Sequence, residues 1–113
     1  MIKLINGWTK EKVMEQVKKY NNGRRAMIGS TCTYLDNEKN RCAVGCFIPD
    51  NHKGLYCEAP VKYLLLQHPD LEELMPFDII GLTFFQKAHD DIRNDYGNIV
   101  HETIQRFLDT EVE

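Results

Sequence analysis

The sequence predicts an α+β fold: one small antiparallel β-hairpin or sheet packed against four or five helices, in a single globular domain over residues 1–113. Three observations carry this. A stretch rich in β-branched, aromatic and cysteine residues, Thr31 to Ile48, is interrupted by one polar turn. Apolar residues recur at helical spacing before and after it. At 113 residues, with hydrophobic residues at 42% and charged residues at 27%, the chain has room for one modest core and no second.

The first helix starts at Thr9, whose hydroxyl suits an N-cap, with Trp8 before it placed to staple onto Val13. Val13, Met14, Val17 and Tyr20 form its apolar face, and Asn21-Asn22-Gly23 ends it through residues that tolerate left-handed geometry. Residues 2–5 read as a short strand or extended arm. The hairpin follows: Thr31-Cys32-Thr33-Tyr34-Leu35, the turn Asp36 to Asn40, and a return strand Arg41 to Ile48. A five-residue turn sets Tyr34 opposite Cys42 and Cys32 opposite Val44. Cys32, Tyr34, Cys42, Val44 and Cys46 then share the inner face. Pro49 to Gly54 is a loop. A helix from near Pro60 to Gln67 carries Val61, Leu64 and Leu65. It breaks at His68-Pro69-Asp70, and Leu71 to Met75 adds a further turn. Asp78 caps a helix to about Arg93 with Leu82, Phe85, His89 and Ile92 on one stripe. After Gly97-Asn98, a last helix from Ile99 to Thr110 buries Val100, Ile104, Phe107 and Leu108.

Charge is unevenly distributed. Residues 1–25 hold seven Lys or Arg against Glu11 and Glu15; from Glu58 onward twelve acids face four bases. The two ends thus run at +5 and −8 within a net charge of −3. One reading is internal complementarity between solvated faces; the other is an acidic surface that docks on a basic partner. Nucleic acid is not an expected partner, because Arg24-Arg25 is a single pair without interleaved aromatics. No apolar run approaches the ~18 residues of a membrane span, and the first residues lack a signal-peptide apolar stretch, so a reducing, cytoplasmic setting is expected. The four cysteines are then read as thiols, not disulfides.

Three constellations could carry chemistry. Cys42 and His89, with Asp90 to orient the imidazole, have the residue types of a thiolate nucleophile and its base, and Gly45 would permit close backbone approach. The plainer reading makes Cys42 a core hydrophobe and His89 a buried, hydrogen-bonded imidazole. Cys32, Cys42, Cys46 and Cys57 have the spacing C-x9-C-x3-C-x10-C, a poor zinc pattern, so no metal and no cofactor is expected. Asp91 and Asp95 would share a helix face if the helix ran on that far.

Cys32-x-Tyr34, the run Cys42-Ala43-Val44-Gly45-Cys46-Phe47-Ile48-Pro49-Asp50, the Leu55-Tyr56-Cys57-Glu58 loop and Gln86-x-x-His89-Asp90 together resemble a family of small, mostly uncharacterised proteins of bacteriophages and prophages. That family's pattern is C-x-Y, a short turn, C-A-[IV]-G-C-[LF]-I-P-[DE], a Tyr-containing loop, and L-Q-x-x-H-D in a late helix. The match covers roughly residues 23–91. It departs at Leu35, where Arg is frequent, at Glu38-Lys39-Asn40, where a Gly is frequent, and at Phe85, where Leu is usual. The resemblance implies an accessory protein of the host bacterial cytoplasm and supplies no reaction. The expected function is binding of a host protein or small ligand, with counter-defence as a biological role. Tyr34, Gly45, Asp50, Tyr56, Gln86, Asp91 and Asp95 are the candidate binding residues. The alternatives are a cysteine-dependent hydrolase or transferase using Cys42, His89 and Asp90, and a structural zinc module. A homodimer is compatible with all three.

Overall fold

The computed structural model describes residues 1–113 and shows an α+β arrangement. Four α-helices, α1 (Lys10–Tyr20), α2 (Val61–Gln67), α3 (Ile79–Asp90) and α4 (Val100–Glu111), carry most of the structure. The sheet is minimal: β1 (Met27–Ile28) pairs antiparallel with β2 (Thr31–Cys32) around Gly29, whose φ of +63° suits a tight turn. Four short 3₁₀ turns fill the connections. No helix is long and apolar enough to cross a membrane.

Helix starts follow their caps. The Thr9 hydroxyl accepts from the Lys12 N–H, and the Asp78 carboxylate accepts from the Gly81 N–H. Val100, Ile104, Phe107 and Leu108 of α4 are all buried, as their spacing predicts. Every buried apolar side chain belongs to one contiguous cluster, so the chain has a single core. At its centre Phe85 contacts Phe47, Phe77 and Phe107, with ring centroids 5.8, 5.4 and 5.9 Å away. Trp8 closes the cluster edge-on against Phe47, and its indole N–H donates to the Leu74 carbonyl. Ile2 bridges to Val112, which ties the N-terminal arm to the end of α4.

The predicted hairpin is corrected. Its register survives as a single bridge, Leu35 to Arg41, with the Cys42 N–H donating to the Tyr34 carbonyl. Beyond that bridge the return strand does not form, because Val44–Phe47 winds into a 3₁₀ turn. Cys32 therefore pairs with Met27 and not with Val44. The cause is that side chains satisfy the backbone here, where a partner strand otherwise would. Gln86 Oε1 accepts from the Val44 N–H, and Cys42 Sγ accepts from the Gly45 N–H. Gln16 donates to the Cys46 carbonyl, and the Arg41 guanidinium donates to the carbonyls of Gly45 and Ile48. Residues 42–48 are buried throughout, so no inner and outer face remains to alternate.

Two helix ends also differ from expectation. Asn21 caps α1 in extended geometry, and only Gly23 of the Asn-Asn-Gly stop is left-handed. Helix α3 stops at Asp90, short of Arg93. The Asn94 side chain takes up the carbonyls of Ala88 and His89, and Asp91 accepts from the Arg93 N–H to open the turn Ile92–Asp95. Ile92 is consequently exposed rather than on the buried stripe.

Candidate functional site

A cleft of about 320 Å³ opens between α3, the end of β2 (Thr31–Cys32) with the two residues after it, and the segment that leads into α2. Helix α3 presents Thr83, Gln86, Lys87 and Asp90 to it. Cys32, Thr33 and Tyr34 form the second wall, and Cys57 to Val61 the third. Five of the residues singled out in the sequence, Cys32, Tyr34, Cys57, Gln86 and Asp90, thus meet in one place.

Their positions are held by a connected set of hydrogen bonds. The Tyr34 hydroxyl donates to the Ala59 carbonyl at 2.7 Å, which joins two walls. Gln86 accepts from the Val44 N–H through Oε1 and donates to Asp90 Oδ1 through Nε2. His89 accepts the Ala26 N–H at Nε2, 3.0 Å away, so its own proton sits on Nδ1 and is donated to Asp90 Oδ1 at 2.7 Å. Asp90 Oδ1 therefore serves two donors, and the Cys32 thiol is a further hydrogen-bonding neighbour of the carboxylate. The Thr33 hydroxyl, also in the cleft wall, is shielded from solvent and has no partner.

Arg25 braces the site from the other side. It donates to the Asp90 carbonyl, pairs with Asp95, and lies 3.8 Å from Cys32 Sγ. Burial, reinforced by the Asp90 carboxylate, pushes the Cys32 thiol up to about 11. A thiol so placed is a weak nucleophile near neutrality.

The structure does not assemble Cys42 and His89 into a dyad. Both are fully buried, and neither lines the cleft. Both imidazole nitrogens are already engaged, and the Cys42 sulfur accepts from the Gly45 N–H at 3.2 Å. Burial pushes the Cys42 thiol up to about 12. Gly45 serves packing here: a Cβ on it would stand 2.2 Å from the Tyr34 carbonyl oxygen. The remaining candidates lie elsewhere. Asp50 pairs with Arg41, whose guanidinium also stacks over the Tyr20 ring. Tyr56 is 72% exposed and outside the cleft. Asp91 pairs with Arg93, which holds its carboxyl at about 2, and Asp95 is held below its usual range by Arg25. With α3 ending at Asp90, Asp91 and Asp95 share no helix face.

The four cysteines do not converge as a zinc set; Cys46 donates to the Val17 carbonyl and Cys57 to Gln67. The one trio of metal-ligating groups is His52, His68 and Asp70. His52 Nδ1 accepts from the Gly54 N–H, which leaves the proton on Nε2, where it is donated to Asp70. A cation at Nε2 would have to displace that proton while Nδ1 still faces a donor, so this trio is arranged for a hydrogen bond and not for a metal.

Sequence reasoning missed Thr33 and Lys87 in the cleft, gave Glu58 no role although it ends the Leu55-Tyr56-Cys57-Glu58 run, and missed the arginines Arg25 and Arg41. Thr33 and Lys87 flank motif residues in the chain, which was their only signal. No protein-family model, curated protein or solved structure matches this chain, and its cleft is defined by its own geometry.

Proposed function

We propose that the chain is a binding protein without chemistry of its own, an accessory protein of the phage type, and that the cleft at Tyr34, Gln86 and Asp90 takes a small polar ligand. The observation that carries this is the convergence of those three side chains, distant in the sequence, on one cleft where hydrogen bonds hold each of them in place. A preformed concave site with a few oriented polar groups is what small-molecule recognition requires. At about 320 Å³ it lies near the lower end of ligand sites, which run roughly 300–1,000 Å³. The ligand is therefore a small one. Its chemistry follows from the acids of the lining: the Asp90 and Glu58 carboxylates can accept, whereas the Thr33 hydroxyl is shielded from solvent. An amine or another compact donor suits them.

The test is a fragment library of small amines, neutral amides and carboxylates, followed by amide chemical shifts on labelled protein. Amines should shift Thr33, Gln86 and Lys87 together. Asp90→Asn should abolish those shifts. Thr83→Trp, at an exposed position on the cleft wall, should block them by filling the space. Shifts scattered over the surface, or equal responses to amines and carboxylates, would refute the assignment.

A further inference from the structure

A second concavity lies on another face, between the N-terminal arm, the turn Pro69–Leu74 and the start of α3, and is about 620 Å³ in volume. Its floor is apolar and buried: Leu65, Met75 and Phe77. Its walls are apolar and open to solvent: Ile5, Ile79, and Ile80 at 68% exposure. Exposed isoleucines beside a hollow are a cost in water unless something covers them.

The rim decides what covers them. Glu72, Glu73 and Asp78 border the groove, and no Lys or Arg does. None of these three acids takes part in the chain's ion pairs. The groove is also rigid before any partner arrives. Asn6 donates to the carbonyls of Glu72 and Met75, the Ile5 N–H donates to the Pro76 carbonyl, and Trp8 holds the Leu74 carbonyl. An apolar trough with an unpaired acidic border fits an apolar stripe flanked by bases, and the −8 excess beyond residue 57 extends the same attraction outward. An anionic lipid surface would be repelled by the rim. The chain's own most basic helix, α1, does not qualify as the occupant in a second copy, because its exposed face bears no apolar residue.

We propose that this groove docks a cationic amphipathic helix of a protein partner, its apolar face on Phe77 and Ile80 and its Lys or Arg side chains on Glu72, Glu73 and Asp78. This site is separate from the cleft, and either can fail without the other.

The probe is a fluorescein-labelled Leu/Lys amphipathic peptide of roughly 15 residues, long enough for a helix to form on binding. Its controls are a Leu/Glu analogue and a scrambled Leu/Lys sequence. Fluorescence anisotropy at low salt should give saturable one-to-one binding of the Leu/Lys peptide alone. Ile80→Asp, at an exposed position, and the double change Glu72→Lys with Glu73→Lys should each weaken it by about tenfold or more while thermal melts stay near those of the parent. Binding indifferent to Ile80→Asp, or equal binding of the scrambled peptide, would overturn the proposal. So would sedimentation equilibrium showing a homodimer that Ile80→Asp dissociates, since a second copy would then be the occupant.

Discussion

Phe84 and Phe85 are neighbours in the chain with opposite surroundings, and replacing each by alanine tests the core directly. Phe85 is fully buried among Phe47, Phe77 and Phe107, whereas Phe84 is 51% exposed with Lys87 Nζ 5.4 Å above its ring. Burying a phenylalanine removes ~150–250 Å² from water, and at ~25 cal/mol per Å² that is worth ~4–6 kcal/mol. Measured Phe→Ala changes in cores fall at ~3–5 kcal/mol, because neighbours relax in part. A chain of this length has a total stability of roughly 6–17 kcal/mol, so Phe85→Ala removes a large share of it. With a urea slope of ~1–2 kcal/mol/M, its midpoint should fall by roughly 1.5–5 M. Phe84→Ala should cost less than about 1 kcal/mol, since it loses only a partly wetted contact and one exposed cation–π pair. Paired urea melts followed by circular dichroism measure both. Equal losses, or a Phe85→Ala loss below about 1 kcal/mol, would refute the packing described for α3.

Three further outcomes follow from the site. His89→Ala orphans the buried Ala26 N–H and should cost ~2–4 kcal/mol, with lost hydrogen-exchange protection at Ala26; full protection there would show that the imidazole is not its partner. Iodoacetamide should label Cys32 at a rate that climbs about tenfold per pH unit up to its thiol value of about 11, and should leave Cys42 untouched until the protein unfolds; rapid labelling of Cys42 near pH ~6 would restore the cysteine-enzyme reading. Asp91 should titrate at about 2 in carboxyl-detected NMR and return toward ~3.9 in Arg93→Gln. Because its folded value is depressed, what this pair adds to stability is complete above ~pH 4 and is lost as pH falls toward 2; an unmoved midpoint in the variant would deny the pairing.

The helices were legible because their information is local. Thr9 and Asp78 cap where their side chains reach an orphan N–H three residues on, and the α4 stripe needs only a period of 3.6. The end of α3 was not legible. It depends on Asn94 folding back onto the carbonyls of Ala88 and His89, and nothing in residues 90–95 distinguishes that from one more helical turn. The segment Cys42 to Ile48 misled for a related reason. Its residue types favour a strand, but its backbone is served by Gln16, Arg41 and Gln86, and two of these lie far off in the chain.

The site divides in the same way. The sequence by itself determined the single core, the α+β class and the chemical types at Tyr34, Gln86, His89 and Asp90, because composition, periodicity and side-chain identity do not depend on neighbours distant in the chain. Only the tertiary structure decided what each one does. It sealed His89 and Cys42 beneath the surface, with the imidazole holding Ala26 and Asp90 in place. It spent Asp50, Asp91 and Asp95 on arginines, and it set the Asp90 carboxylate in the wall of the cleft. A carboxylate or imidazole acquires its role from the donors, charges and water that reach it, and those are set by contacts made only when residues far apart along the chain pack together.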